Sequence, residues 1–355
     1  MVIPRHGWED EFTATLFKKE ASYNAGVTID SANACSTAGF EIDVQWPDRI
    51  ESDKADVTGF EFGTQQEIIE QQVTMTYSEA HARPNSLAGL AALVLGSVTA
   101  TQDGAFAAYK HAIRPIAVSS ALPSISVMHN KGGLKYQYDG VKGNSIEISG
   151  EAGGPVAISA ELWGSGKRTS VGTATPALVV ESWMLWKDCT VWREDGSSIS
   201  ISATPAQGVE DISSATPDVL GPRMKSFSTK FTNGLVRQPG FGGLGYSQDI
   251  DRGRRTIDLS FELIFVDSTE LDLFVAQDPV AIELDCVGAL IDPGGTYKYG
   301  FNLIIPKFQL KTPPLGQGGA GDDLTVTMDC EVLDDGTNPA FMLDVYTGKA
   351  AYIAA

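Results

Sequence analysis

Residues 254–276 read RRTIDLSFELIFVDSTELDLFVA, and the hydrophobic period changes inside them. Ile257, Leu259, Phe261 and Leu263 alternate with Thr256, Asp258, Ser260 and Glu262, the two-residue period of a strand with one buried face. From Ser268 the apolar residues fall at Leu271, Phe274 and Val275. That spacing predicts a short helix over 268–276, with Ser268 as N-cap and Glu270 and Asp272 in the first turn, where the helix dipole favours carboxylates. A strand thus runs into a helix with almost no linker. Residues 70–96, EQQVTMTYSEAHARPNSLAGLAALVLG, repeat the move. Val73, Met75 and Tyr77 alternate with Gln72, Thr74 and Thr76. Then Leu87, Leu90, Ala91, Val94 and Leu95 recur at helical spacing, between Pro84 near the start and Gly96 as the C-cap.

Outward from these stretches the same alternation recurs. FEIDVQW (40–46), SIEIS (145–149), GPVAISAEL (154–162), FNLII (301–305) and DDLTVTMDCEV (322–332) all show it. Such runs predict a mainly β, antiparallel fold with one face of each strand wet. The 37 glycines and 17 prolines punctuate the runs as turns require. The halves match in order. The first has a strand at 40–46, a long polar loop at 47–66, a strand at 67–78, a helix at 84–95, then strands ending at 154–166. The second has a strand at 225–231, a glycine-rich loop at 232–253, a strand at 255–265, a helix at 268–276, then strands ending at 322–336. One unit written twice points to duplication and fusion. The expected organisation is an N-terminal arm over 1–30, a first β domain over 31–180, and a second over 181–355 that includes a C-terminal arm. Residues 196–218, rich in Ser, Thr, Pro and Ala, are the candidate linker or surface excursion.

The chain has 355 residues, 26 Lys plus Arg and 45 Asp plus Glu, for a formal net charge of −19. Such a surface repels nucleic acid and anionic membranes. The first twenty residues are charged throughout and show no secretory core. Leu87–Val98 is too short to cross a bilayer. Cys35, Cys189, Cys286 and Cys330 are far apart in sequence with no CxxC pair, which points to a reduced compartment without a disulfide framework or zinc.

Motifs for chemistry are weak. GFGGLG (240–245) matches the dinucleotide glycine pattern but follows Pro239 and precedes a strand, whereas that site needs a strand before and a helix after. DIDRG (249–253) lacks the other ligands of a calcium loop and reads as a turn into a strand. His6, His81, His111 and His129 have no metal-ligand spacing, and His111 reads as a structural histidine in a strand. No G-x-S-x-G occurs. WMLWKDCTVW, with Trp183, Trp186 and Trp192, is either a sugar-binding platform or a buried or interface strand. No catalytic, cofactor-binding or metal residue is therefore assigned.

Two longer stretches carry a resemblance. YKHAIRPIAVSSALPSISVMHN (109–130) and LKYQYDGVKGNSIEISGEAGGPVAISAELWGSG (134–166) place Tyr109 and His111, then Leu122 to Ser124, Tyr138 to Gly140, and Gly153 with Gly154, in the order seen in tail tube proteins, or major tail proteins, of long-tailed bacteriophages. MKSFSTKFTNGL, RGRRTIDLSFELIF, YGFNLIIPKFQL and DDLTVTMDCEVL follow more loosely, so the resemblance spans roughly residues 30–345. It implies a duplicated β-sandwich or partial barrel, each unit with a flanking helix, joining into a continuous barrel on oligomerisation. It implies a structural virion protein rather than an enzyme, with no cofactor. Rings would stack into a tube that conducts DNA, in a virion tail assembled in the bacterial host cytoplasm. The partners would be other copies of the chain, other tail proteins at the tube ends, and passing double-stranded DNA without specific binding, with no membrane. Read this way, the polar strand faces give Glu41, Asp43, Asp258 and Glu262 as lumen-lining candidates. The mixed charges of Asp48, Arg49, Glu51, Asp53, Lys54 and Asp56 in the 47–66 loop give inter-ring candidates. If each half is one tube domain, a ring of three chains is favoured over six. A carbohydrate-binding or adhesin-like β-sandwich, using the three tryptophans, and a β-sandwich glycosidase with two facing carboxylates are the alternatives.

Overall fold

The computed structural model describes residues 15–29, 35–37, 41–52, 65–131, 134–171, 181–196, 199–213, 218–238, 245–314 and 324–352. It is mainly β. The first half holds β1 (Thr15–Lys19), β2 (Cys35–Thr37), β3 (Glu41–Gln45), β4 (Arg49–Ser52), β5 (Gln66–Glu70) and β6 (Val73–Glu79), then helix α1 (Pro84–Leu95). After it come β7 (Gly96–Gln102), β8 (Tyr109–Pro115), β9 (Ile125–Lys131), β10 (Leu134–Glu151), β11 (Val156–Gly164) and β12 (Arg168–Ser170). The second half holds β13 (Cys189–Asp195), β14 (Ser200–Ile201), β15 (Ile212–Ser213), β16 (Asp218–Val219), β17 (Met224–Thr232), β18 (Val236–Gln238), β19 (Asp249–Asp251) and β20 (Thr256–Ile264), then helix α2 (Thr269–Ala276). It ends with β21 (Val280–Leu290), β22 (Lys298–Leu310), β23 (Thr325–Val332) and β24 (Met342–Thr347).

One antiparallel sheet runs β3–β6–β11–β10–β17–β20–β23–β22. Its first four strands come from the first half and its last four from the second. Each quartet is laid down in the same spatial order, with its fourth strand between its second and its third, and each has its helix after the second strand. The quartets meet where Ser145–Glu151 of β10 pairs with Ser226–Thr232 of β17. The sheet is open: among the described residues β3 pairs only with β6, and at the other end β22 passes from β23 to pairings with β21 and β24.

The long strands make the second layer. The first part of β10, Leu134–Val141, pairs with β9 and β12, and β9 pairs with β1. The first part of β22, Gly300–Ile304, pairs with β24, which pairs with β8, which pairs with β7. The last strand of the second half thus extends a layer begun by the first half, and one hydrophobic core contains residues from both.

Helix α1 lies between the layers, against β10 on one side and β8 and β24 on the other. All twelve of its residues are buried, so the stripe expected at Leu87, Leu90, Ala91, Val94 and Leu95 is only part of its contact surface, as in a helix apolar all round. Gly96 ends it in the left-handed region at φ 87° with its N–H returned to Ala92 O. Its first turn is closed by distant residues: Glu181 Oε2 accepts the Asn85 N–H at 2.8 Å. At its last turn Asn233 Nδ2 donates to Val94 O and to Gly143 O at 2.7 and 2.9 Å, fastening helix to sheet.

Several local expectations change. Ser268 precedes α2, but its hydroxyl donates to Asp272 Oδ2 at 3.0 Å; it is Asp267 Oδ1 that accepts the Thr269 N–H at 2.9 Å. Glu270 is buried and paired with Arg193 Nη1 at 3.2 Å and Arg223 Nη2 at 3.3 Å, so specific ion pairs hold it, beyond the helix dipole. The strand expected over 67–78 is two strands, broken where Gln72 N–H turns to Asp48 Oδ1 at 2.9 Å. The expected loop 232–253 contains a two-stranded ribbon, β18–β19, and the expected loop 47–66 contains β4, which pairs with β5 at the start of the expected strand. The β4–β5 ribbon, exposed on both faces, has no inside to write into the sequence as alternation.

The closeness of α1 to β10 generates a test. A Cβ on Gly143 would sit 2.6 Å from Val94 Cγ2 and 2.8 Å from Val94 Cα. Gly143→Ala is expected to cost about 1–3 kcal/mol through overpacking, read as a lower denaturation midpoint. Gly154→Ala, where a Cβ would come no closer than 3.4 Å to Glu151 O, is the control and should change little.

Candidate functional site

The strands of the eight-stranded sheet alternate strictly, so one face is core and the other is polar. Met75, Ile146, Ile158, Phe227, Phe261 and Met328 point into the core. On the opposite face a single transverse row crosses the whole sheet: Glu41, Ser78, Ser159, Glu147, Lys230, Asp258, Glu331 and Gln309 are successive register partners. The next row contains Asp43, Thr76, Glu161, Ser145, Thr232 and Thr256. Asp43 and Asp258 are exposed and Glu262 is half-buried, all on this face; the Glu41 side chain lies outside the described residues. Sequence reasoning did not single out Glu147, Glu161, Asp329 and Glu331, which share the face. Their alternating runs were legible, but which strands share a sheet was not.

Short polar side chains fill the space between the acids. Ser228 Oγ donates to Glu147 Oε1 at 3.2 Å. Glu161 accepts from Asn144 Nδ2 and Trp163 Nε1, both at 2.8 Å. Lys311 pairs with Glu331 at 2.8 Å, both more than half exposed, an interaction that water screens. A mostly anionic strip of carboxylates, serines and threonines remains, with Lys230 and Lys311 as cationic interruptions.

The two ribbons differ in what lies beneath them. β18–β19 folds back over the first half. Lys142 Nζ meets Asp249 Oδ1 and Ile250 O at 2.8 Å, Ser247 N–H donates to Ser165 O at 2.9 Å, and Arg237 donates to Val73 O at 2.8 Å with its guanidinium 4.5 Å from the Trp163 ring. Leu235 and Ile250 are buried there against Leu122, Tyr23 and Ile116. Among the described residues β4–β5 has no such seat: Ile50 is 50% and Ile68 51% exposed. Of the inter-ring candidates, Asp48 is paired with Arg168 at the ribbon's root, and Arg168 stacks 4.0 Å over Trp46. Arg49 and Glu51 pair with each other on the exposed ribbon. Asp53, Lys54 and Asp56 lie outside the described residues.

A family model for phage tail tube proteins matches residues 16–332. This chain belongs to the phage tail tube protein family. No curated protein matches it. Membership makes it a structural component of a virion tail that self-assembles into a tube with other tail proteins.

The remaining motifs of this tail tube protein take structural places. His111 is fully buried, its Nε2 2.8 Å from Lys349 O and its ring edge-on to Tyr352. Asp249–Asp251 is a strand. GFGGLG lies outside the described residues except for Gly245. The three tryptophans share no platform: Trp183 is 50% exposed and stacks on His81, Trp186 is 8% exposed in the core, and Trp192 packs beside Ile212 and Met342. Cys189 and Cys286, far apart in sequence, are direct register partners with free thiols. Among the described residues no cluster has metal-ligand composition, and no helix is long and apolar enough to cross a membrane.

The excursion within 196–218 has a seat that the sequence did not reveal. Residues 199–213 lie over β21 and β22, where Ile212 packs on Ala281, Ile304 and Met342. Beneath them are buried carboxylates. Asp211 N–H donates to Glu283 Oε2 at 2.8 Å, Gly208 N–H donates to Asp285, and Asn302 Nδ2 donates to Glu283 Oε1 at 2.5 Å. Asp344 sits nearby, held by Lys110 at 2.8 Å and Arg114 at 2.6 Å. The signal was present in VAIELDCVGAL (280–290), where Glu283 and Asp285 interrupt an otherwise apolar strand.

Burial pushes Glu283 up to about 8 and Asp285 up to about 7, and raises Asp211. The folded chain therefore keeps protons that the unfolded chain has released. Stability from this region is intact below the ordinary carboxylate range and is lost as pH climbs through neutrality toward the folded-state values. Amide exchange over 199–213, corrected for intrinsic rates, should rise between about pH 5 and pH 8 and level off above, and Glu283→Gln should flatten that rise. A pH-independent protection pattern in the unaltered chain would contradict this.

Proposed function

We propose that three copies close into a ring, that rings stack, and that the acidic face of the sheet lines the resulting conduit for DNA. The observation that carries this reading is the β10–β17 junction. It joins the last-placed strand of one quartet to the first of the next through seven register pairs, Ser145–Thr232 to Glu151–Ser226. Among the described residues the same two kinds of edge recur at the ends of the sheet: β3 pairs only with β6, and β22, paired with β21 as far as Phe308, leaves Gln309 and Leu310 bonded to β23 alone. Repeating the junction between chains removes both edges, the general remedy for an exposed strand edge. Three chains bring six quartets, or 24 strands, to the barrel. At ordinary strand spacing and tilt such a barrel is about 45–50 Å across at the backbone.

In that barrel Asp43, Asp258 and Glu262, with Glu147, Glu161, Asp329 and Glu331, face the lumen, and by strand alternation Glu41 does too. Carboxylates beside a polyanion bind no phosphates and release no counterions, so the duplex gains nothing by sticking. Lys230, set between Glu147 and Asp258 by register, is surrounded by charges that offset it. The β4–β5 ribbon, with Arg49 and Glu51 exposed, is free for contacts between copies, including those between rings.

Negative-stain electron microscopy of the purified chain should show rings or striated tubes; a protein that stays monomeric at every concentration would contradict the reading. The lumen assignment has its own test. Assembled tubes should not retain short linear duplex at moderate salt. Tubes of Asp43→Lys, Asp258→Lys, Glu262→Lys protein should retain it, with affinity falling steeply as salt rises. Equal retention by the two would place these side chains elsewhere.

A further inference from the structure

The two ribbons occupy equivalent places in the two halves, since each joins the first and second strands of its quartet. One is seated and one is not. The β18–β19 ribbon rests on the first half at the start of β6, the end of β11 and the middle of β10, through Val73, Trp163, Ser165 and Lys142. The corresponding place in the second half is the start of β20 and the end of β23. A trough of about 550 Å³ lies there, lined by residues that include Arg255, Ile257, Glu331, Val332, Leu333 and Asp334. Nothing in the chain's described residues fills it.

We infer that the β4–β5 ribbon of a second copy occupies this trough, as β18–β19 occupies its counterpart within one chain. The inference rests on the ring reading above and names the contact that the ring makes. Three observations support it. First, the ribbon carries apolar residues in need of cover: Ile50, Ile68 and Ile69 are each about half exposed, whereas the seated ribbon buries Ile250 and Leu235. Second, both surfaces carry charges of both signs, Arg49, Glu51 and Glu67 on the ribbon and Arg254, Arg255, Asp258 and Asp334 in the trough, the composition of a polar contact with individual pairs to make. Arg255 donates weakly to Asn233 at 3.3 Å and its buried Nη2 has no hydrogen-bond partner, a donor that an arriving carboxylate would satisfy. Third, the chain's own ribbon is rooted at the wrong end. Six strand spacings separate β3 from β23, about 29 Å at ordinary spacing. In a ring that pairs β3 with the end of β22, the neighbour's ribbon arrives beside the trough.

Cross-linking in the assembled full-length protein tests this. Ile68→Cys and Leu333→Cys variants are mixed, assembled and treated with a short bismaleimide. A dimer band that requires both variants is the expected result; each variant alone controls for the native cysteines. Carrying both substitutions on one chain should give a ladder up to the ring's full number. Rings on the grid without any such band would overturn the ribbon contact while leaving the ring intact. An intramolecular product from the double variant, with no dimer from the mixture, would mean that the ribbon folds back on its own chain, and would also overturn it. Failure of the unaltered chain to form rings would overturn both readings. As a check independent of the cysteines, Ile68→Ser with Ile69→Ser should lower ring yield at least tenfold with an unchanged circular dichroism spectrum; unchanged yield would contradict the inference.

Discussion

The junction between β10 and β17 is the constraint on which the rest of the architecture depends. A four-stranded sheet with one wet face has two edges, and each edge is a row of unpaired backbone donors and acceptors. Fusing two such quartets through Ser145–Glu151 and Ser226–Thr232 satisfies one edge of each and leaves one of each. The chain thereby contains within itself one instance of a quartet meeting the next. It also fixes which residues share the polar face, since register across β10 and β17 aligns Glu147 with Lys230 and through it with Asp258.

The junction needs support from behind. Helix α1 presses on β10 so closely that Gly143 has no room for a side chain, and Asn233, the residue immediately after β17, bonds the helix carbonyl of Val94 and the strand carbonyl of Gly143 together. One side chain from the second half thus ties a helix and a strand of the first. The layer on the far side of the helix is likewise shared, with β24 completing a sheet started by β7 and β8. Removing the second half would uncover the side of α1 that β24 covers, and α1 has no polar face of its own to turn to water.

Much of the fold was legible because one-sided burial writes itself as alternation. The strands at 40–46, 72–77, 255–263 and 324–332, the two helices after them and the wet-face acids Asp43, Asp258 and Glu262 were all readable. What was not legible lacked that one-sidedness. β4 and the β18–β19 ribbon read as loop, and β5 as the start of the strand at 67–78, because neither face of the first ribbon, and only scattered residues of the second, meet a core. Glu283 and Asp285 were not singled out, although residues 199–213 cover them. Asp48 stood among the inter-ring candidates; it pairs with Arg168, 120 residues away, a partnership that no local pattern can announce. Register, which unites Glu147 and Glu331 with the expected acids, is likewise a long-range property.

If the β10–β17 pairing is repeated between chains, each chain brings two quartets to the barrel, so the proposed ring of six quartets takes three chains. Native mass spectrometry of isolated rings, released from tubes under gentle conditions, measures that number directly. The account predicts three chains per ring. A ring of six chains would mean that only one quartet of each lines the tube, and would contradict it.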